Sequence, residues 1–151
     1  MNKIESFKID HTTLNPGIYV SRIDGDITTY DLRFMHPNNK ENLYLDNSQM
    51  HTFEHLFATY VRNSEIKDDV IYFGPMGCQT GFYLLIRNAD NQKVLEVVID
   101  VLNLIINHKG EVFGCSEIEC GNYKTLKLEK GVKIAKDYLE VLTNKENNFK
   151  Y

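Results

Sequence analysis

The chain has 151 residues, 42% of them hydrophobic and 25% charged, with a formal charge of −4 at pH 7. Length and composition fit one soluble globular domain over residues 1–151, with Tyr (9) and Phe (8) serving as aromatic filler where Trp is absent. The acidic balance and the scattered Lys and Arg exclude a basic footprint for a phosphate backbone, so nucleic acid is not an expected partner.

Residues 1–10 alternate charged and apolar side chains where a secretory signal needs an unbroken apolar run, so the cytoplasm is the expected location. Ile18-Tyr-Val-Ser-Arg-Ile23 is rich in β-branched and aromatic residues, ends at the turn-forming Asp24-Gly25, and is followed by alternation from Ile27 to Met35. That is the pattern of an antiparallel hairpin, with Tyr30, Leu32 and Phe34 on one face and Thr29, Asp31 and Arg33 on the other. Asp46, Asn47 and Ser48 are N-cap candidates for a helix running to about Asn63.

Val70 to Phe73 and Gly81 to Arg87 read as short strands bracketing a Gly/Pro loop, Gly74 to Thr80, that presents Cys78. A second helix spans about Asn91 to Asn107; Glu96, Asp100 and Asn103 within it argue for a core-facing amphipathic helix rather than a membrane span. Val132, Ala135, Leu139 and Leu142 mark the apolar stripe of a third, after which the tail from Thr143 is polar and expected to fray. Strands and helices mix without strict alternation. The expected fold is α+β, a largely antiparallel sheet covered on one face by helices.

The chemistry concentrates in His51-Thr-Phe-Glu-His55. An H-x-x-E-H on a helix aims two imidazoles at one point and sets Glu54 beside a metal without making it a ligand. Three cysteines, an odd number without secretory context, favour reduced thiols over a disulfide framework. Cys120 is the better third ligand, because Gly121 lets the backbone approach closely, whereas Cys115 lies among less constrained residues. Two imidazoles and one thiolate leave a fourth position open, as in catalytic centres; such donors suit Zn²⁺ and also accept Fe²⁺ or Co²⁺.

His51-Thr-Phe-Glu-His-Leu56, Gly74-Pro-Met-Gly-Cys-Gln-Thr-Gly-Phe-Tyr83 and Cys120-Gly-Asn-Tyr123 resemble the S-ribosylhomocysteine lyase (LuxS) family, as do Glu5 to His11, Asp31 to Phe34 and Pro37-Asn38. The resemblance follows the family's order and approximate spacing along nearly the whole chain. It implies a homodimer with active sites at the interface, each formed mainly by one chain and completed by the N-terminal segment of the other. It implies His51, His55 and Cys120 as ligands of one divalent metal per subunit, Fe²⁺ natively with Zn²⁺ or Co²⁺ able to replace it. Cys78 and Glu54 become the proton carriers, and Ser6, His11 and Arg33 are placed around the substrate, S-ribosylhomocysteine.

The implied reaction releases homocysteine and 4,5-dihydroxypentane-2,3-dione, a precursor of a quorum-sensing autoinducer, without a redox cofactor. Two departures stand out: Tyr72 and Gly74 occupy places where family members commonly carry Asp and Ser, and Cys115 has no assigned role. The competing readings are a metallopeptidase built on the same H-x-x-E-H and a catalytically idle metal-binding scaffold.

Overall fold

The computed structural model describes residues 1–151 and forms the expected hairpin from β1 (Gly17–Asp24) and β2 (Ile27–Arg33), with Gly17 opposite Arg33 and Asp24 opposite Ile27. A second hairpin, β3 (Val70–Pro75) and β4 (Gly81–Arg87), joins it through β4, giving an antiparallel sheet in the order β1-β2-β4-β3. Three helices, α1 (Asn47–Val61), α2 (Asn91–Ile106) and α3 (Leu128–Thr143), share its core, which makes the fold α+β. β2 ends at Arg33, short of the expected Met35, because the N–H groups of Phe34 and Met35 both turn to the Thr80 carbonyl.

Strand alternation sets Tyr30 and Leu32, both fully buried, toward the helices. Phe53 and Phe57, one turn apart on α1, meet the sheet through Phe82 and Phe73, with ring centroids 5.0 and 4.3 Å apart. Each such buried ring contributes about 1.5–3 kcal/mol, so this cluster fixes where α1 lies on the sheet. α3 crosses α1 closely: a Cβ on Gly131 would stand 2.8 Å from Thr52 Cγ2. That contact explains a glycine inside a helix, at a propensity cost of about 1 kcal/mol.

The other face of β2 carries Asp31 and Arg33, as alternation requires, yet these are 0% and 2% exposed. Their cover comes partly from the chain's last residues. The expected fraying of the tail is not observed: Phe149 bridges Tyr19 in parallel register, and its carbonyl accepts the Val20 N–H at 2.9 Å. Phe149 packs edge-on against Tyr30, and Tyr151 stacks on Tyr19 with centroids 4.9 Å apart. Two aromatic anchors two residues apart outweigh the polarity of the tail from Thr143. No helix is long and apolar enough to cross a membrane.

Candidate metal centre and thiol pocket

α1 begins with a capping box. The Asp46 carboxylate accepts the Gln49 N–H at 2.7 Å, and Gln49 Oε1 accepts the Asp46 N–H at 2.9 Å. Lys130 adds an ion pair to Asp46 at 2.8 Å. From this fixed start His51 and His55 project on one face, ring centroids 4.6 Å apart, and Cys120 Sγ comes within 3.4 Å of His51 Nε2. The three ligand atoms lie within 4.8 Å of one another.

The unused ring nitrogens decide the tautomers. His55 Nδ1 lies 2.7 Å from the Phe113 carbonyl, which only accepts, so Nδ1 carries the proton and Nε2 a free lone pair. His51 Nδ1 lies 2.7 Å from Thr125 Oγ1, whose own proton goes to the Asn122 carbonyl; the hydroxyl therefore accepts, and His51 Nε2 is bare as well. Burial, and then the neighbouring His55, lower the pKa of His51 from 6.5, which favours the neutral form that binds metal. Donors on a tetrahedral ion with bonds of about 2.0–2.3 Å stand about 3.3–3.8 Å apart, a span the Cys120 and His51 atoms already meet. These residues fit a divalent ion of imidazole and thiolate preference.

Gly114, with φ of 70°, lets the loop after α2 pass close to His55, since a Cβ there would stand 3.1 Å from Nδ1. Cys115 packs against the core edge with Sγ 3.9 Å from the Tyr123 carbonyl and is not part of the ligand cluster. Glu54, half-buried between the two histidines on α1, has its carboxyl pushed up by burial, with the neighbouring His55 opposing.

Cys78 is exposed at the β3–β4 turn. Arg33 reaches it from β2: Nη1 donates to Thr80 Oγ1 at 2.7 Å and lies 3.9 Å from Cys78 Sγ, while Sγ and Thr80 Oγ1 are 3.1 Å apart. The rest of the guanidinium forks onto Asp31, Nε to Oδ1 at 3.1 Å and Nη2 to Oδ2 at 2.6 Å. Removing either partner of so buried a pair costs about 3–5 kcal/mol.

Ser6 and His11 line the same cavity as Arg33 and Cys78, a space of about 500 Å³ that Phe7 and Tyr83 also line. Ser6 sits in a short 3₁₀ turn, Glu5–Phe7, and His11 Nδ1 is held by the Ile9 carbonyl at 2.9 Å. His51, His55, Cys120 and Glu54 do not line it. The structure thus gathers the eight expected site residues into two groups, one on the N-terminal segment, the end of β2 and the β3–β4 turn, one on and beside α1. A larger cavity of about 730 Å³, between the N-terminal segment and the tail, contains none of them.

Residues 4–149 match the family model described as S-Ribosylhomocysteinase (LuxS). The chain belongs to the LuxS family. Among similar proteins, the S-ribosylhomocysteine lyase of Finegoldia magna is 44% identical, covering 97% of each chain, and that of Borreliella burgdorferi (strain ZS7) is 44% identical over 100% of this chain and 99% of its own. The Clostridium acetobutylicum S-ribosylhomocysteine lyase is 40% identical over 95% and 94%.

Within this LuxS chain the departures at Tyr72 and Gly74 prove to be one feature. A Cβ added to Gly74 would lie 2.1 Å from Tyr72 Oη and 2.6 Å from its Cζ, so the Tyr72 ring occupies the space of a side chain at 74. Sequence reasoning misses Thr80, Phe113 and Thr125, which hold Arg33, His55 and His51 across separations of 47, 58 and 74 residues. Only Thr80 offers a sequence cue, its place two residues after Cys78 in the turn.

Proposed function

We propose that this chain, as one catalytic domain over residues 1–151, cleaves the carbon–sulfur bond of S-ribosylhomocysteine to give homocysteine and 4,5-dihydroxypentane-2,3-dione. The observation that carries the reading is the convergence of His51, His55 and Cys120, with bare ring nitrogens, in a chain of this family. These three would hold the ion, Fe²⁺ natively and Zn²⁺ or Co²⁺ as replacements. When bound, it supplies Lewis acidity that polarises a carbonyl oxygen.

A thioether is a poor leaving group until a carbonyl lies β to its sulfur, so the carbonyl must migrate twice along the ribose before elimination. Each migration takes a proton from a carbon beside the carbonyl and returns it to the adjacent carbon. Cys78 Sγ does both in this reading, which the contacts of its sulfur support: Arg33 Nη1 gives the thiolate a counter-charge and Thr80 a hydrogen-bond partner. Glu54, whose raised pKa eases proton uptake, moves protons among substrate oxygens and assists the elimination that expels homocysteine. Ser6 and His11 hold the amino-acid end of the substrate; a His11 Nδ1 engaged by Ile9 leaves Nε2 to accept from its ammonium.

The reading includes a cytoplasmic homodimer with two interface sites. Each site is formed mainly by one chain's metal cluster and completed by the N-terminal segment of the other, whose Ser6 and His11 share a cavity with the Cys78 and Arg33 of their own chain. This uses both groups of residues at each site.

The test is release of free thiol from S-ribosylhomocysteine by the metal-loaded protein. Cys78→Ala is expected to keep metal and dimer while losing about 10²–10⁴-fold in kcat, the usual contribution of a general acid–base group. His55→Ala is expected to lose metal as well. Undiminished turnover in Cys78→Ala removes the proposed base, and peptide hydrolysis without thiol release removes the lyase reading.

A further inference from the structure

Cys78 does not meet Arg33 in isolation, because the guanidinium that reaches the thiol is held from behind by a carboxylate with a third donor of its own. Asp31 Oδ2 accepts from Arg33 Nη2 at 2.6 Å and from Tyr151 Oη at 2.8 Å, while Oδ1 accepts from Arg33 Nε. The chain Tyr151, Asp31, Arg33, Cys78 thus runs from the last residue of the sequence, across the outer face of the sheet, to the thiol in the β3–β4 turn. The Tyr151 ring is held flat on Tyr19, the planes 12° apart, and the backbone leading to it is pinned to β1 through Phe149.

We propose that Tyr151 is a positioning residue for the thiol site, fixing through Asp31 the orientation and effective charge of the guanidinium that faces Cys78. The proposal rests on the reading of Cys78 as the proton carrier. Asp31 is fully buried, so each lone pair it presents must find a donor inside the protein. Without the tyrosine hydroxyl, Oδ2 has only Arg33 and whatever water enters beside Tyr19. The guanidinium then turns further onto Asp31, and Nη1 is drawn from Thr80 and Cys78. The hydroxyl also takes up part of the carboxylate's negative charge, leaving more of the Arg33 charge for the sulfur. Both effects act in one direction: losing the hydroxyl weakens the counter-charge at Cys78.

Burial and the neighbouring Asp31 raise the Tyr151 pKa, so the hydroxyl remains a donor at physiological pH. Tyr151 is 46% exposed, and its ring stacks on Tyr19. Tyr151→Phe therefore removes the donor and keeps the stack.

The experiment uses the metal-loaded protein and compares the parent, Tyr151→Phe, Arg33→Lys and the double variant. The rate of Cys78 alkylation by iodoacetamide is followed by peptide mass mapping, alongside kcat and KM for thiol release. In Tyr151→Phe, alkylation of Cys78 is expected to slow three- to tenfold and kcat to fall by a similar factor, with KM within twofold. In the Arg33→Lys background the same change is expected to alter neither rate by more than twofold, since the effect travels through Arg33. Tyr151→Ala, which also removes the stack, is expected to slow alkylation at least as far.

Alkylation within twofold of the parent in Tyr151→Phe, or an equal loss with and without Arg33, overturns the proposal. Alkylation needs no substrate turnover. If Cys78→Ala retained full activity, the catalytic reading would fail while the link from Tyr151 to the sulfur was still decided by alkylation.

Discussion

Thr125 Oγ1 accepts the Nδ1 proton of His51 at 2.7 Å and passes its own proton to the Asn122 carbonyl, so one hydroxyl sets both the tautomer and the tilt of a metal ligand. Thr125→Val keeps the shape and removes the acceptor. Metal affinity is expected to fall about 10- to 100-fold, the usual effect of losing a partner behind a ligating histidine. Competition with a chelator of known affinity measures it; unchanged affinity would mean that packing alone orients the ring.

Tyr72 and Gly74 share one volume, so substitutions there are expected to couple. Gly74→Ser alone collides with the Tyr72 ring and costs about 1–3 kcal/mol, nearer the lower figure because a residue 50% exposed can turn outward. In a Tyr72→Asp background the same change is expected to cost less than half as much. Urea unfolding of the four proteins gives the coupling directly, and additive costs would show that the ring moves freely.

Mixed dimers test how the site is divided between chains. A dimer of one Cys78→Ala chain and one His55→Ala chain, purified through two different tags, carries one doubly damaged site and one intact site if thiol and metal come from different protomers. About half the parent activity is then expected. Activity no higher than that of either homodimer would place both groups in the same chain.

Asp46 caps the metal-bearing helix, and its pKa is lowered from 3.8, chiefly by Lys130, with burial opposing and the Gln49 N–H adding to the lowering. A carboxyl lowered on folding contributes stability that is fully present above the unfolded value and fades as pH falls through the folded one. Asp46→Ala is expected to cost about 1 kcal/mol at pH 7, and the difference to shrink below pH ~3.8. Parallel thermal melts from pH 7 to pH 3 follow the gap, which should not widen on acidification.

The elements that form the site were legible where the signal was local. His51 and His55 lie one helical turn apart behind an Asp46 cap, the β3–β4 turn carries Gly77 and Cys78, and the strand alternation of β2 gives the side to which Arg33 points. What was not legible depends on distant contacts. Polar residues after Thr143 suggest a loose end, but Phe149 and Tyr151 find Tyr30 and Tyr19 more than a hundred residues away. Asp31 and Arg33 alternate like surface residues, and only the tail and the Cys78 turn explain why they are dry. Phe113 contributes a main-chain carbonyl, for which side-chain identity leaves no trace.

Everything the α1 histidines need from outside their helix comes from one connection, residues 107–127 between α2 and α3: the thiol of Cys120, the carbonyl of Phe113 and the hydroxyl of Thr125. Seating this stretch and assembling the donors are therefore a single cooperative event, and by mass action an ion that binds only the seated form suppresses its local opening. Amide hydrogen exchange should consequently quicken across 107–127 upon chelation, while the strands keep their protection.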